Sequence, residues 1–250
     1  MTRSLSALSP RQYARVGGVL YLVIIVAGLL GEIFIRGPLV VSGDAAATAQ
    51  NIVRSMWLWR IGIAGDLVMH VCDVGLMLVF YVLLRPVSRP LALLAVLFNL
   101  IQTAVLVANK LNLLVPVFLL GNAAYLKAFD AQQLQALAYL SLRLHDYGFG
   151  LGLIFFGVEC VIVGWLILQS GYFPRALGFL MQLAGACYVV NSFALVLRPA
   201  LASALFPVIL LPPFVAELSL AVWLVAKGVD PVKWAERCAD GSATASGSLL

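Results

Sequence analysis

Residues 57–84 read WLWRIGIAGDLVMHVCDVGLMLVFYVLL. About 20 apolar residues in a helix cross the hydrocarbon core of a bilayer, and this run is longer than that. Asp66, His70 and Asp73 interrupt it. At about 100° per residue, Asp66 and His70 lie about 40° apart and Asp66 and Asp73 about 20° apart. The spacing therefore places all three on one stripe of one helix. A carboxylate near the bilayer centre costs about 2.5–3.5 kcal/mol on insertion scales, so such groups turn inward, toward partners or water. The stretch predicts a membrane-spanning helix with a polar inner stripe, and other spans to pack against it.

The rest of the chain agrees. Hydrophobic residues make up 63% and charged residues 11%, with a mean hydropathy of +1.03. A soluble domain carries roughly 25% charged residues. The fold class expected is an all-α, polytopic membrane protein. The net charge of +5 comes from basic residues at loop ends, which points to topology and lipid contact rather than nucleic acid. The N-terminus has the basic start of a signal peptide, but the apolar run from Val16 is long. The small-residue match Ala47-Thr48-Ala49 follows Glu32 and Arg36, so a retained first helix is expected. Cys72, Cys160, Cys187 and Cys238 form no C-x-x-C pair. No disulfide or thiol chemistry is expected of them.

Six spans follow from hydropathy: 14–35, 56–84, 91–110 with an extension past Pro116, 147–168, 176–197 and 204–226. Short surface helices are expected before the second and fourth spans. One lies within 36–54, capped at Asp44, and one within 122–144, opening at Asp130. The domain reading is a cytoplasmic N-terminal segment over 1–13, one six-helix domain over 14–229, and a polar, disordered tail over 230–250. Nine of the 16 basic residues fall on the side of the termini, which favours both termini inside. An offset of 86 residues relates Asp44 to Asp130, Asp73 to Glu159 and Arg89 to Arg175. That suggests a parallel repeat, 44–118 and 130–204.

Several short strings carry a family likeness. They include Arg60-Ile-Gly-Ile-Ala-Gly-Asp66, Cys72-Asp-Val74, Tyr81-Val-Leu-Leu-Arg-Pro86, Leu144-His-Asp-Tyr-Gly148 and Ser170-Gly-Tyr-Phe-Pro-Arg175. In this order they resemble the bacterial DUF4386 membrane family, a domain of unknown function, from about Arg15 to Val229. The resemblance implies a multi-pass protein of the inner membrane with no established activity. Asp66, Asp73 and His145 stand where the family has recurring polar residues. Glu159 departs, since many members carry His there, and His70 is not a family position. The resemblance therefore implies no fixed histidine–metal chemistry.

Beyond the first stripe, Asn99, Gln102, Thr103 and Lys110 share a face of the third span. Lys110 is close in depth to Asp66, and a pair between them would neutralise two isolated charges. In the fourth span Glu159 follows His145 by 14 residues, about 40° off one line. Glu217 follows Pro212-Pro213 in the sixth, and Glu32 ends the first. Arg60 and Arg143 are further cations within reach of these acids in sequence. The candidate binding set is Asp66, His70, Asp73, Lys110, His145, Glu159 and Glu217, with no catalytic residue and no cofactor expected. The reading preferred from sequence is an acidic intramembrane cavity that binds or transports a small solute or cation, with proton coupling. A second reading is a membrane-embedded hydrolase with a metal at Asp66, His70 and Asp73. Zinc enzymes need three protein ligands and an open position, and the chain has only two histidines, which also sit at different depths for a bis-histidine haem. A third reading is a non-catalytic membrane scaffold, and a fourth is a purely structural set of ion pairs. No phosphate loop or nucleophile elbow is present.

Overall fold

A computed structural model describes residues 8–247 of the chain. The described residues are helical, without strands. Six helices are long and apolar enough to cross a membrane.

Helix α1 runs Pro10–Leu39. It opens on a capping box, in which Ser9 Oγ accepts from Gln12 N and the Gln12 side chain accepts from Ser9 N. The segment Gly31–Arg36 is a π-helical turn. Such turns re-aim side chains inside otherwise regular helices, and this one delivers Arg36 to the interior. A Cβ on Gly31 would lie 3.1 Å from Arg36 Nη2, so glycine leaves room for the guanidinium. Helix α2, Ala45–Arg54, is the expected surface helix, with Asp44 Oδ1 accepting from Ala47 N. Then come α3, Met56–Leu84, and α4, Arg89–Leu119, which continues through Pro116.

Helix α5, Ala131–Ser170, differs from the sequence expectation. Its 40 residues extend about 60 Å at 1.5 Å each. The anticipated surface helix and the fourth span are one rod, because Leu144–Tyr147 contains neither a proline nor a glycine to stop it. Asp130 caps its start, accepting from Gln133 N. Helix α6 is Arg175–Leu197 and α7 is Pro199–Leu205. The sixth span, expected from 204, begins later. Phe206-Pro207 halts the chain, and α8 covers Leu211–Ala226.

The tail is a second departure. Pro231–Gly247 forms helix α9 where disorder was expected. Asp230 Oδ1 accepts from Val232 N and Lys233 N, and Pro231 suits a first helical position. Composition hid this start signal. Trp234 Nε1 donates to Leu83 O at 3.2 Å, and the Tyr172 hydroxyl donates to the same carbonyl at 2.6 Å. A carbonyl in the last turn of a helix lacks an intrahelical donor, so both side chains seal the end of α3. Burial pushes the Tyr172 hydroxyl pKa above its usual value, which keeps it a donor. Residues 1–7 and 248–250 of the expected terminal segments lie outside the described residues.

The spans close a ring in chain order. α1 packs on α3, α3 on α4, α4 on α5, α5 on α6, α6 on α8, and α8 returns to α1. Large apolar side chains such as Val71 at 74% and Leu111 at 65% exposure face outward, as lipid contact requires. Two dry clusters fill the ends. One, with Leu83, Leu84, Leu166 and Leu224, lies at the end bearing the termini. The other, with Ile35, Trp59, Leu113 and Leu142, lies at the opposite end. Polar side chains occupy the layer between.

A glycine seam holds α5 against α6. A Cβ on Gly164 would sit 2.7 Å from Gly178 O, and one on Gly157 would sit 2.8 Å from Gly185 O. Backbone carbonyls cannot move aside as side-chain tips do, and small residues permit such close crossings. Gly164→Leu is expected to cost about 1–3 kcal/mol by overpacking, read as a lower unfolding midpoint in mixed micelles.

Candidate functional site in the centre of the helix ring

The polar layer is two sites rather than one stripe. The first is a chain of ion pairs. Asp66 Oδ2 lies 2.8 Å from Lys110 Nζ and 2.9 Å from Arg36 Nη1. Arg36 Nε donates in turn to Glu32 Oε2 at 2.8 Å. Two acids thus meet two bases, and the group is neutral overall. Asp66 and Lys110 are both buried, while Glu32 reaches the exposed rim. The expected Lys110–Asp66 pair is present. Lys110 Nζ also stands 3.5 Å from His145 Nε2. His145 Nδ1 lies 4.0 Å from Asp146 Oδ1.

The second site is a cavity of about 150 Å³ at the ring's centre, to which all six spans contribute. At about 30 Å³ per liquid water it has room for about five. Asp73, on α3, accepts from Thr103 Oγ1 at 2.7 Å and from Asn99 Nδ2 at 3.3 Å. The same Asn99 Nδ2 donates to Glu159 Oε2 at 3.1 Å. One amide from α4 therefore bridges acids from α3 and α5. Across the cavity Tyr188 donates its hydroxyl proton to Glu217 Oε1. Among the described residues four buried polar atoms have no partner, and two of them, His70 Nε2 and Asn99 Oδ1, belong to residues that line this cavity. No lysine or arginine lines the cavity, and among the described residues no ion pair reaches Asp73, Glu159 or Glu217.

The structure thus divides the seven candidates. His70, Asp73, Glu159 and Glu217 line the cavity, whereas Asp66, Lys110 and His145 do not. The reason is chemical as well as spatial. Asp66 is saturated by two cations, which also bar it from ligating a metal. Among the described residues no three His, Cys, Asp or Glu side chains are grouped to hold a metal ion, so the set Asp66, His70 and Asp73 is not assembled as a metal centre. Arg60 is exposed, and Arg143 pairs with Asp146 at the surface; neither answers a buried acid. Sequence reasoning missed Arg36, Tyr188 and Tyr21, the last of which also lines the cavity. Arg36 carried a signal in its i, i+4 spacing from Glu32. The tyrosines carried none, since an aromatic in an apolar run reads as packing.

Residues 16–228 match the family described as Domain of unknown function (DUF4386). An "Uncharacterized protein" of Archaeoglobus fulgidus is 29% identical over 166 residues, which cover 66% of this chain and 83% of the relative. No solved structure matches. The ring of six spans with its central acids is therefore that of a member of the DUF4386 family, to which this chain belongs.

Proposed function

We propose that the protein lies in the cell's inner membrane with both termini in the cytoplasm, and that its central cavity binds a small cation and carries it across, coupled to protons. One observation carries this reading: three carboxyl groups, Asp73 and Glu159 buried and Glu217 half-buried, converge on one cavity that no lysine or arginine lines. Isolated charges in a dry interior are costly, and a bound cation or a proton offsets that cost. Asp73 and Glu159 bind, sharing the donor Asn99, and Glu217 relays protons through the Tyr188 side. The ion-pair chain has a different part. Lys110 and Arg36, by holding Asp66, close the cavity toward the end away from the termini.

The proposal includes the parallel repeat read from the sequence, 44–118 and 130–204. Asp44 and Asp130 cap helices through the same bond at 2.8 Å, and Asp73 and Glu159 both accept from Asn99. We take these pairs as matching members of the two units, as in transporters built from duplicated units. The test is reconstitution of the full chain in liposomes under an imposed pH gradient, with labelled Na⁺, K⁺ and methylammonium as probes. Saturable, gradient-dependent movement of at least one is expected. Fluxes equal to those of empty liposomes for all three overturn the proposal.

A further inference from the structure

If the cavity holds a cation, as proposed above, its walls choose the kind. A hard divalent ion takes about six to eight oxygens in a tight shell, and no such grouping of acids exists among the described residues. Aromatic rings share the walls with the carboxyl groups instead: Tyr21, Phe80, Phe149, Phe156 and Tyr188 all line the space. Ring faces attract an organic cation most strongly where water is excluded. Met69, Met77 and Met181 complete an apolar wall that adapts to a hydrocarbon chain. The unpartnered atoms add the decisive detail. Asn99 Oδ1 is an acceptor, and Asn99 is 1% exposed. His70 is 3% exposed, and its Nε2 accepts when the ring proton is on Nδ1. A buried acceptor left without a donor costs about 1–3 kcal/mol. A quaternary ammonium has no N–H to give these atoms, and a primary ammonium has three.

We propose that the cavity is a binding site for a protonated primary alkylamine. Its ammonium donates to Asn99 Oδ1, His70 Nε2 and the Asp73 or Glu159 carboxylate, and its chain lies along the aromatic and methionine wall. A cavity of about 150 Å³ is of the size that takes a benzene-sized molecule, so a four-carbon amine fits.

n-Butylammonium and tetramethylammonium have the same number of non-hydrogen atoms and the same charge, and only the first has N–H donors. Calorimetric titration of the full chain in detergent with each, and with Na⁺, tests the proposal. n-Butylammonium is expected to bind at least tenfold more tightly than tetramethylammonium. His70→Leu is expected to cut that preference to less than threefold by weakening n-butylammonium more than tetramethylammonium, which a merely structural histidine would not do. Equal or tighter binding of tetramethylammonium overturns the proposal, as does an unchanged preference in folded His70→Leu. Na⁺ binding with no amine binding overturns it while leaving the cation reading in place. No binding of any of the three overturns both. The wild-type comparison stands even where the variant does not fold.

Discussion

Asp66→Ala is expected to destabilise the protein by about 3–5 kcal/mol, the usual cost of stripping one partner from a buried ion pair. The loss falls on Lys110, whose side chain is 5% exposed and 2.8 Å from the missing carboxylate. Arg36 suffers less, since Glu32 still holds it at 2.8 Å and its side chain is 18% exposed. Lys110→Met should cost less than Asp66→Ala, because Asp66 keeps Arg36 at 2.9 Å. Asp66→Asn combined with Lys110→Met should recover most of the stability, since removing both charges leaves neither stranded. Unfolding in mixed micelles, followed by helical circular dichroism, reads all three. A loss below about 1 kcal/mol for Asp66→Ala, within the range of exposed pairs, would show that the pair is wet and would remove its role as a seal.

Asp73→Asn is expected to abolish pH-gradient-driven cation movement in liposomes while leaving the fold intact. The amide has the carboxylate's shape. Its oxygen can still accept from Asn99, and the Thr103 hydroxyl can turn to accept from the new amide while donating to Gln102 Oε1, 3.4 Å away. What disappears is one of the two carboxyl groups that share the Asn99 amide, and with it a group that can exchange a proton or hold a cation. Glu159→Gln should act in the same direction, because Asn99 ties the two acids together. By contrast Arg143→Ala, which breaks only a surface pair, should leave movement unchanged. Wild-type rates in folded Asp73→Asn would sink the carrier scheme.

Much of this was visible in the chain. A run of about 20 apolar residues says membrane wherever it occurs, so the six spans needed no neighbours to be recognised. Helical periodicity placed Asp66, His70 and Asp73 on one inner stripe, and all three are buried. Depth along the helix matched Lys110 to Asp66. Boundaries were less legible where a weak local signal was set against composition. The Asp230-Pro231 start was lost in a polar tail, and the surface helix over 131–144 was separated from its span although no breaker divides them.

The division of the stripe was not legible at all. Asp66 and Asp73 sit two turns apart on the same face, and sequence spacing makes them equivalent. They differ because Arg36 reaches the first through a π turn in α1, while Asn99 and Thr103 reach the second from α4.

Hydropathy and period are properties of a segment, so the amino-acid order alone determined how many helices cross, which of their faces turn inward and where their acids lie in depth. The partners of each acid depended on the rotation and spacing of neighbouring helices. Those are set by long-range contacts such as the meeting of Gly157 with Gly185 and Gly164 with Gly178. Only the tertiary structure could therefore decide that one carboxylate is locked between two cations and three others surround an open space.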